Sequence, residues 1–169
     1  VIELRTSSAD ETKDLGAALA GVLVAGDLLL LVGDLGAGKT AFAQGLGAGL
    51  GVTDPITSPT FTLASRYEGD HLLFHHLDVY RLEGLAEVGD LDLPELLEDE
   101  AVVAIEWGDS ILPALPADHL EVRLVWEGVD DERSIALVPA GTRWRARMAA
   151  LGRATKPWVL GATPPGGED

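Results

Sequence analysis

The stretch Gly33-Asp34-Leu35-Gly36-Ala37-Gly38-Lys39-Thr40 holds the residue types best suited to chemistry. It fits the pattern G-x-x-x-x-G-K-[ST] at every position, so all eight residues are expected to line a phosphate-binding loop. Glycines let a backbone curl tightly enough for several N–H groups to face one anion, which makes Gly36 and Gly38 matter as backbone. Lys39 is expected to reach the β- and γ-phosphates of a nucleotide, and the Thr40 hydroxyl to ligate Mg²⁺. A helix starting at the end of the loop adds its partial positive charge.

Such a loop needs acids: one near Mg²⁺ and a group that orients water. Two strand-like apolar runs end in one. Residues 101–105 run into Glu106, and residues 72–77 run into Asp78. The residues alone do not assign which acid holds metal and which handles water. His71, His75 and His76 lie close together, but His75 and His76 would face opposite sides of a strand, which argues against a shared zinc. Trp107 either packs on the nucleotide or the loop, or belongs to the core, the commoner fate of a buried tryptophan.

The elements that must hold these residues are legible around them. Residues 1–5 read as a strand. Ser8-Ala9-Asp10-Glu11 is a capping box that opens a helix carrying Leu15, Leu19, Val22 and Leu23 at helical spacing. Leu28 to Val32 is a continuous apolar run, as in a strand buried on both faces, and leads straight into the loop. A helix over 39–50 stops at Gly51. Residues 61–67 and 71–77 form a hairpin about Glu68-Gly69-Asp70. A short helix covers 91–100, a buried strand 101–105, and a second hairpin joins 121–126 to 134–138. A helix covers 142–154. The Gly- and Pro-rich stretch 157–169 reads as a disordered tail. Buried strands alternating with helices predict a three-layer α/β domain over 1–156. Its central sheet is mainly parallel, with antiparallel strands at the edges, and its C-terminal helix over 142–156 is basic.

Composition narrows the function. The 169 residues are 47% hydrophobic with no cysteine, which suits a folded chain in a reducing compartment and excludes disulfides and thiolate metal sites. The longest apolar run, 28–32, is far too short to span a membrane, and the N-terminus lacks the pattern of a signal peptide. These readings predict a cytoplasmic protein. The formal charge of −16 opposes unaided binding to nucleic acid. One segment departs from it: residues 142–156 carry Arg143, Arg145, Arg147, Arg153 and Lys156 and no acid. A solvated helix face is the ordinary reading, and a contact to RNA or a partner the functional one. The chain has no asparagine, so the Asn-Lys-x-Asp motif of GTPases is absent. No stretch reads as the arginine-bearing lid of a small-molecule kinase. A factor in which ATP binding alone matters stays open.

Four motifs, in order, resemble one family. They are Gly33–Thr40, Ser58-Pro59-Thr60-Phe61-Thr62-Leu63, His76-Leu77-Asp78-Val79-Tyr80-Arg81-Leu82 and Ile105-Glu106-Trp107. Over roughly residues 2–139 the chain is similar to the TsaE (YjeE) family. The resemblance implies a P-loop ATPase that uses ATP and Mg²⁺. It would support repeated formation of N6-threonylcarbamoyladenosine at position 37 of tRNA, with the TsaD and TsaB proteins as partners and tRNA met only through their complex. By matched position, Thr40 and Glu106 would hold Mg²⁺, Lys39 would bind phosphate, and Thr60 would sit in a switch-like loop. Asp78 would be a second acid, and Arg133 would contact nucleotide. Hydrolysis by the isolated chain would be slow, with Arg66, Arg81 or a partner supplying a missing arginine finger. Ala41 replaces a threonine common in the family, and Gly108-Asp109 replaces a proline-bearing turn.

Overall fold

The computed structural model describes residues 1–59, 64–79, 92–98, 100–106 and 108–161. Expectations for Thr60, residues 61–63, Arg81, Trp107 and 162–169 lie outside them. Seven strands form one sheet in the order β1-β7-β6-β2-β5-β4-β3. They are β1 (Ile2–Thr6), β2 (Leu28–Val32), β3 (Ala64–Glu68), β4 (Leu73–Asp78), β5 (Ala101–Glu106), β6 (His119–Trp126) and β7 (Arg133–Ala140).

Parallel pairing joins β6, β2, β5 and β4, and antiparallel pairing adds β3, β7 and β1. The mainly parallel core is as expected. The flank beyond β6 differs from the sequence reading. There the antiparallel strand β7 lies inside, and β1 takes the edge running with the core. β1 pairs with the side of β7 that faces away from β6.

The centre of the sheet is apolar because both its faces are covered. β5 is buried along its whole length and β2 through Leu31. Alternation splits their side chains between two cores. Leu29, Leu31, Val102 and Ala104 pack with Leu15, Leu19, Phe42 and Leu46 of helices α1 (Ala9–Ala20) and α2 (Lys39–Gly49). Leu28, Leu30, Val103 and Ile105 pack with Leu93 of α3 (Leu93–Glu98) and with Ile111 of the 3₁₀ helix Gly108–Ala114.

Helix α1 starts where the capping box predicts. Ser8 Oγ accepts from the Glu11 amide at 3.1 Å, while the Glu11 carboxylate returns to the amide of Ser7 at 2.7 Å, one residue further out than in the standard box. The α1–α2 contact is backbone on backbone. A Cβ at Gly45 would lie 2.0 Å from the Lys13 carbonyl oxygen, and one at Gly16 would lie 2.5 Å from that of Phe42.

Two expectations for the C-terminal part are corrected. The helix over 142–154 is two helices, α4 (Thr142–Ala146) and α5 (Met148–Ala154), meeting at Arg147. Arg147 leaves helical geometry while its guanidinium grips the buried Asp27 carboxylate at 2.8 and 2.9 Å and the Val22 carbonyl, and lies 4.3 Å from the Trp144 ring centre. Part of the basic segment thus serves an internal carboxylate rather than a solvated face. The start of the supposed disordered tail is ordered: Lys156–Trp158 is a 3₁₀ turn, Val159 bridges Leu4, and the Leu160 amide donates to Glu3. Trp158 and Val159 pack against the core, and the open edge of β1 supplies the backbone partners.

Candidate functional site

Three parallel strands deliver the candidate residues to one end of the sheet. β2 ends at Val32 and runs directly into the loop, β5 ends in Glu106, and β4 ends in Asp78. The register sets Leu31 beside Glu106 and Glu106 beside Asp78, so the carboxyl ends are level. Ligands of parallel α/β sheets gather at such carboxyl ends. Both acids share the face that carries α2, because Ala104 and Glu106, like His76 and Asp78, are two apart along their strands.

The loop itself is shaped by glycine. Gly36 and Gly38 have φ of 81° and 104°, a left-handed conformation that a side chain disfavours, and Gly38 forms the N-cap of α2. Helix α2 therefore begins at Lys39 with its first amides directed into the loop. The Lys39 ammonium is buried and donates to the carbonyls of Gly33 at 2.6 Å and Asp34 at 3.0 Å. It thus straddles the loop mouth, already desolvated. Arg133, on β7, reaches the loop from the far side. Its Nε donates to the Ala37 carbonyl at 3.0 Å and one Nη to that of Gly36 at 3.2 Å.

A hollow of about 420 Å³ opens beside the loop, lined among others by Lys39, Thr40, Ser58, Asp78 and Glu106. Asp78 and Glu106 are each 3% exposed. The Thr40 hydroxyl donates to Glu106 Oε1 at 3.4 Å. The His76 ring, wholly buried, places Nε2 2.9 Å from the same oxygen. Ser58 arrives on a segment pinned to α2, where Gln44 Nε2 donates to the Ile56 carbonyl at 2.9 Å. A second hollow flanks the start of the loop, beneath the exposed apolar side chains of Leu35, Val125 and Trp126.

The structure therefore gathers Gly33 to Thr40, Asp78, Glu106 and Arg133. It also bears on two readings outside that set. Arg66 pairs in register with His75, on the face of the sheet opposite Asp78 and Glu106, so strand alternation keeps it from acting as their arginine finger. His76, weighed in the sequence only as a zinc ligand, touches the candidate carboxylate directly. The signal that could have found it is its spacing of two from Asp78, which puts both on one face.

Among the described residues, no group of three or more His, Cys, Asp or Glu side chains is arranged to hold a metal. Thr40, Glu106 and Asp78 instead offer hard oxygens from one side. That set fits Mg²⁺, which binds through one or two carboxylates and completes its shell with phosphate oxygens and water. No helix among the described residues is long and apolar enough to cross a membrane.

Comparison with known proteins shows the family. Residues 6–135 match the family model described as threonylcarbamoyl adenosine biosynthesis protein TsaE. A relative from Bacillus subtilis, named tRNA threonylcarbamoyladenosine biosynthesis protein TsaE, is 39% identical over 152 residues, 90% of this chain and 94% of its own. A relative of the same name from Streptomyces coelicolor is 44% identical over 138 residues, 78% of this chain and 93% of its own. The crystal structure of Bacillus subtilis YdiB superposes with a TM-score of 0.74 at 35% identity, covering 90% of this chain and 94% of that one. With the matched segment containing the loop, Asp78, Glu106 and Arg133, the chain belongs to the TsaE family.

Proposed function

We propose that the chain is an Mg²⁺-dependent P-loop ATPase that sustains repeated formation of N6-threonylcarbamoyladenosine at position 37 of tRNA, in company with the TsaB and TsaD proteins. One observation carries the reading: Lys39, Thr40, Asp78 and Glu106 converge on one hollow at the carboxyl ends of β2, β5 and β4. The names of the relatives support the pathway.

The chain's own groups divide the work. Loop amides and the N-terminus of α2 receive the phosphates. Lys39 exchanges carbonyl bonds for stronger, charge-assisted bonds to phosphate oxygens. Thr40 and Glu106 would hold Mg²⁺, which would neutralise charge on the β- and γ-phosphate oxygens. Asp78, level with Glu106, orients the attacking water. Arg133 braces the loop by holding the Gly36 and Ala37 carbonyls, so that neighbouring amides stay directed at the anion. Arg133 is engaged with the loop's own carbonyls rather than with a terminal phosphate, so slow turnover by the isolated chain is expected, with a partner completing the site. The acidic surface keeps it off tRNA unless the complex presents the RNA.

The test is a reconstitution with TsaB, TsaD, threonylcarbamoyl-adenylate and ATP, with modified tRNA counted by mass spectrometry. More than one turnover per transferase only when this chain is present supports the reading. Turnover indifferent to the chain, with active partners, refutes it. A Glu106→Ala chain that binds ATP, does not hydrolyse it and still sustains full turnover would assign the role to binding instead.

A further inference from the structure

His76 packs against Glu106 without belonging to the phosphate loop or to the acids at the strand ends. His76 is wholly buried on β4, and Ala104 lies beside it in register on β5. The small alanine leaves room for the imidazole to lean diagonally toward Glu106, where Nε2 stands 2.9 Å from Oε1. Behind it the ring stacks on Phe74, with centroids 6.0 Å apart and planes at 15°, and Phe74 stacks on Tyr67 at 6.1 Å. Tyr67, Phe74 and His76 thus form a rigid file that ends on the site carboxylate.

Packing alone does not account for a histidine here. A phenylalanine or leucine would fill the space without burying ring nitrogens. An ionised carboxylate only accepts hydrogen bonds, so Nε2 is the nitrogen that carries the proton in this contact. Nδ1 has no hydrogen-bond partner among the described residues. The imidazole is therefore buried with one nitrogen unsatisfied, an arrangement that is unfavourable. Among the described residues, the hydrogen bond that the ring makes in return is the one to Glu106.

We propose that His76 is a positioning residue. By donating Nε2–H to Oε1, it fixes the Glu106 side chain so that the same oxygen stays within reach of the Thr40 hydroxyl. Oε1 then takes both contacts, from His76 and from Thr40 at 3.4 Å, and Oε2 is left for the hollow. The acid and the hydroxyl that flank the phosphate loop are thereby held as one preformed unit before nucleotide arrives. This inference rests on the reading of Glu106 as the metal-side carboxylate.

The experiment compares wild type with His76→Phe, His76→Leu, His76→Gln and Glu106→Gln. Affinity for a non-hydrolysable ATP analogue is measured by calorimetry with Mg²⁺ and with EDTA. Loss of a group that orients a metal ligand typically lowers metal affinity about 10–100-fold. The expected result is that His76→Phe and His76→Leu bind the analogue in EDTA within about two-fold of wild type, yet lose roughly ten-fold or more of the Mg²⁺ enhancement. His76→Gln, which can present an amide N–H at similar reach, recovers most of it. An unchanged Mg²⁺ enhancement in folded His76→Phe or His76→Leu, with Glu106→Gln defective, overturns the role of His76 and leaves the reading of Glu106 standing. An unaffected Glu106→Gln overturns both. Should the variants not fold, ¹⁵N-histidine spectra of the wild-type chain decide. A His76 signal protonated on Nε2, and perturbed in Glu106→Gln, supports the proposal; protonation on Nδ1 overturns it.

Discussion

Replacing Arg133 with alanine tests whether the loop is braced from behind. The substitution removes two bonds from a guanidinium to loop carbonyls, 3.0 Å to Ala37 and 3.2 Å to Gly36. Hydrogen bonds from charged donors contribute about 1.5–3 kcal/mol when well buried. One of these is half-buried and the other exposed, so screening reduces each to about 0.5–1 kcal/mol. The sum, about 1–2 kcal/mol, is the energy that holds two carbonyls in place and with them the amides that face the anion. Lost on substitution, it must be resupplied by the ligand. At 1.4 kcal/mol per factor of ten, nucleotide affinity falls roughly 5- to 30-fold. Calorimetric titration of Arg133→Ala with ADP and with a non-hydrolysable ATP analogue, both with Mg²⁺, measures it. A brace acts on the loop and not on the terminal phosphate, so both ligands lose affinity alike. Arg133→Lys keeps the charge without the planar fork and recovers less than half of the loss on a logarithmic scale. A change below two-fold refutes the brace. A loss confined to the ATP analogue also refutes it, since that pattern belongs to a direct γ-phosphate contact.

Three further outcomes follow from the packing and the loop. Gly45→Ala drives a methyl to 2.0 Å from the Lys13 carbonyl oxygen, so α1 and α2 must part. Overpacking of about 1–3 kcal/mol outweighs the better helix propensity of alanine, and calorimetric melting shows Tm lower by several degrees, whereas a raised Tm would contradict the close approach. Arg147→Met leaves the Asp27 carboxylate buried and nearly unpaired, which is destabilising by about 3–5 kcal/mol, and a Tm within about 2 °C of wild type would be the contrary result. Lys39→Ala removes the loop's only ammonium; binding of the ATP analogue falls about 10- to 150-fold with Tm little changed, and retained affinity would show that the amides suffice.

Features that depend on neighbours along the chain are legible in the residues alone. The phosphate loop is eight consecutive residues between an apolar run and a helix, and each step of that succession acts locally. The Ser8–Glu11 cap spans one helical turn, and the buried strands β2 and β5 declare themselves by unbroken apolar residues. Tertiary structure decided the rest. The level alignment of Asp78 and Glu106 comes from strand register, which leaves no periodic trace in either segment. His76 reaches Glu106 30 residues away, and Arg133 reaches the loop across 96 and 97. The break at Arg147 is set by Asp27, 120 residues earlier, so local propensity alone reads 142–154 as one helix. Hydrophobic periodicity reports which face of an element is buried. It does not report what lies opposite, and side-chain contacts between distant segments exist only once the sheet has fixed their order and register.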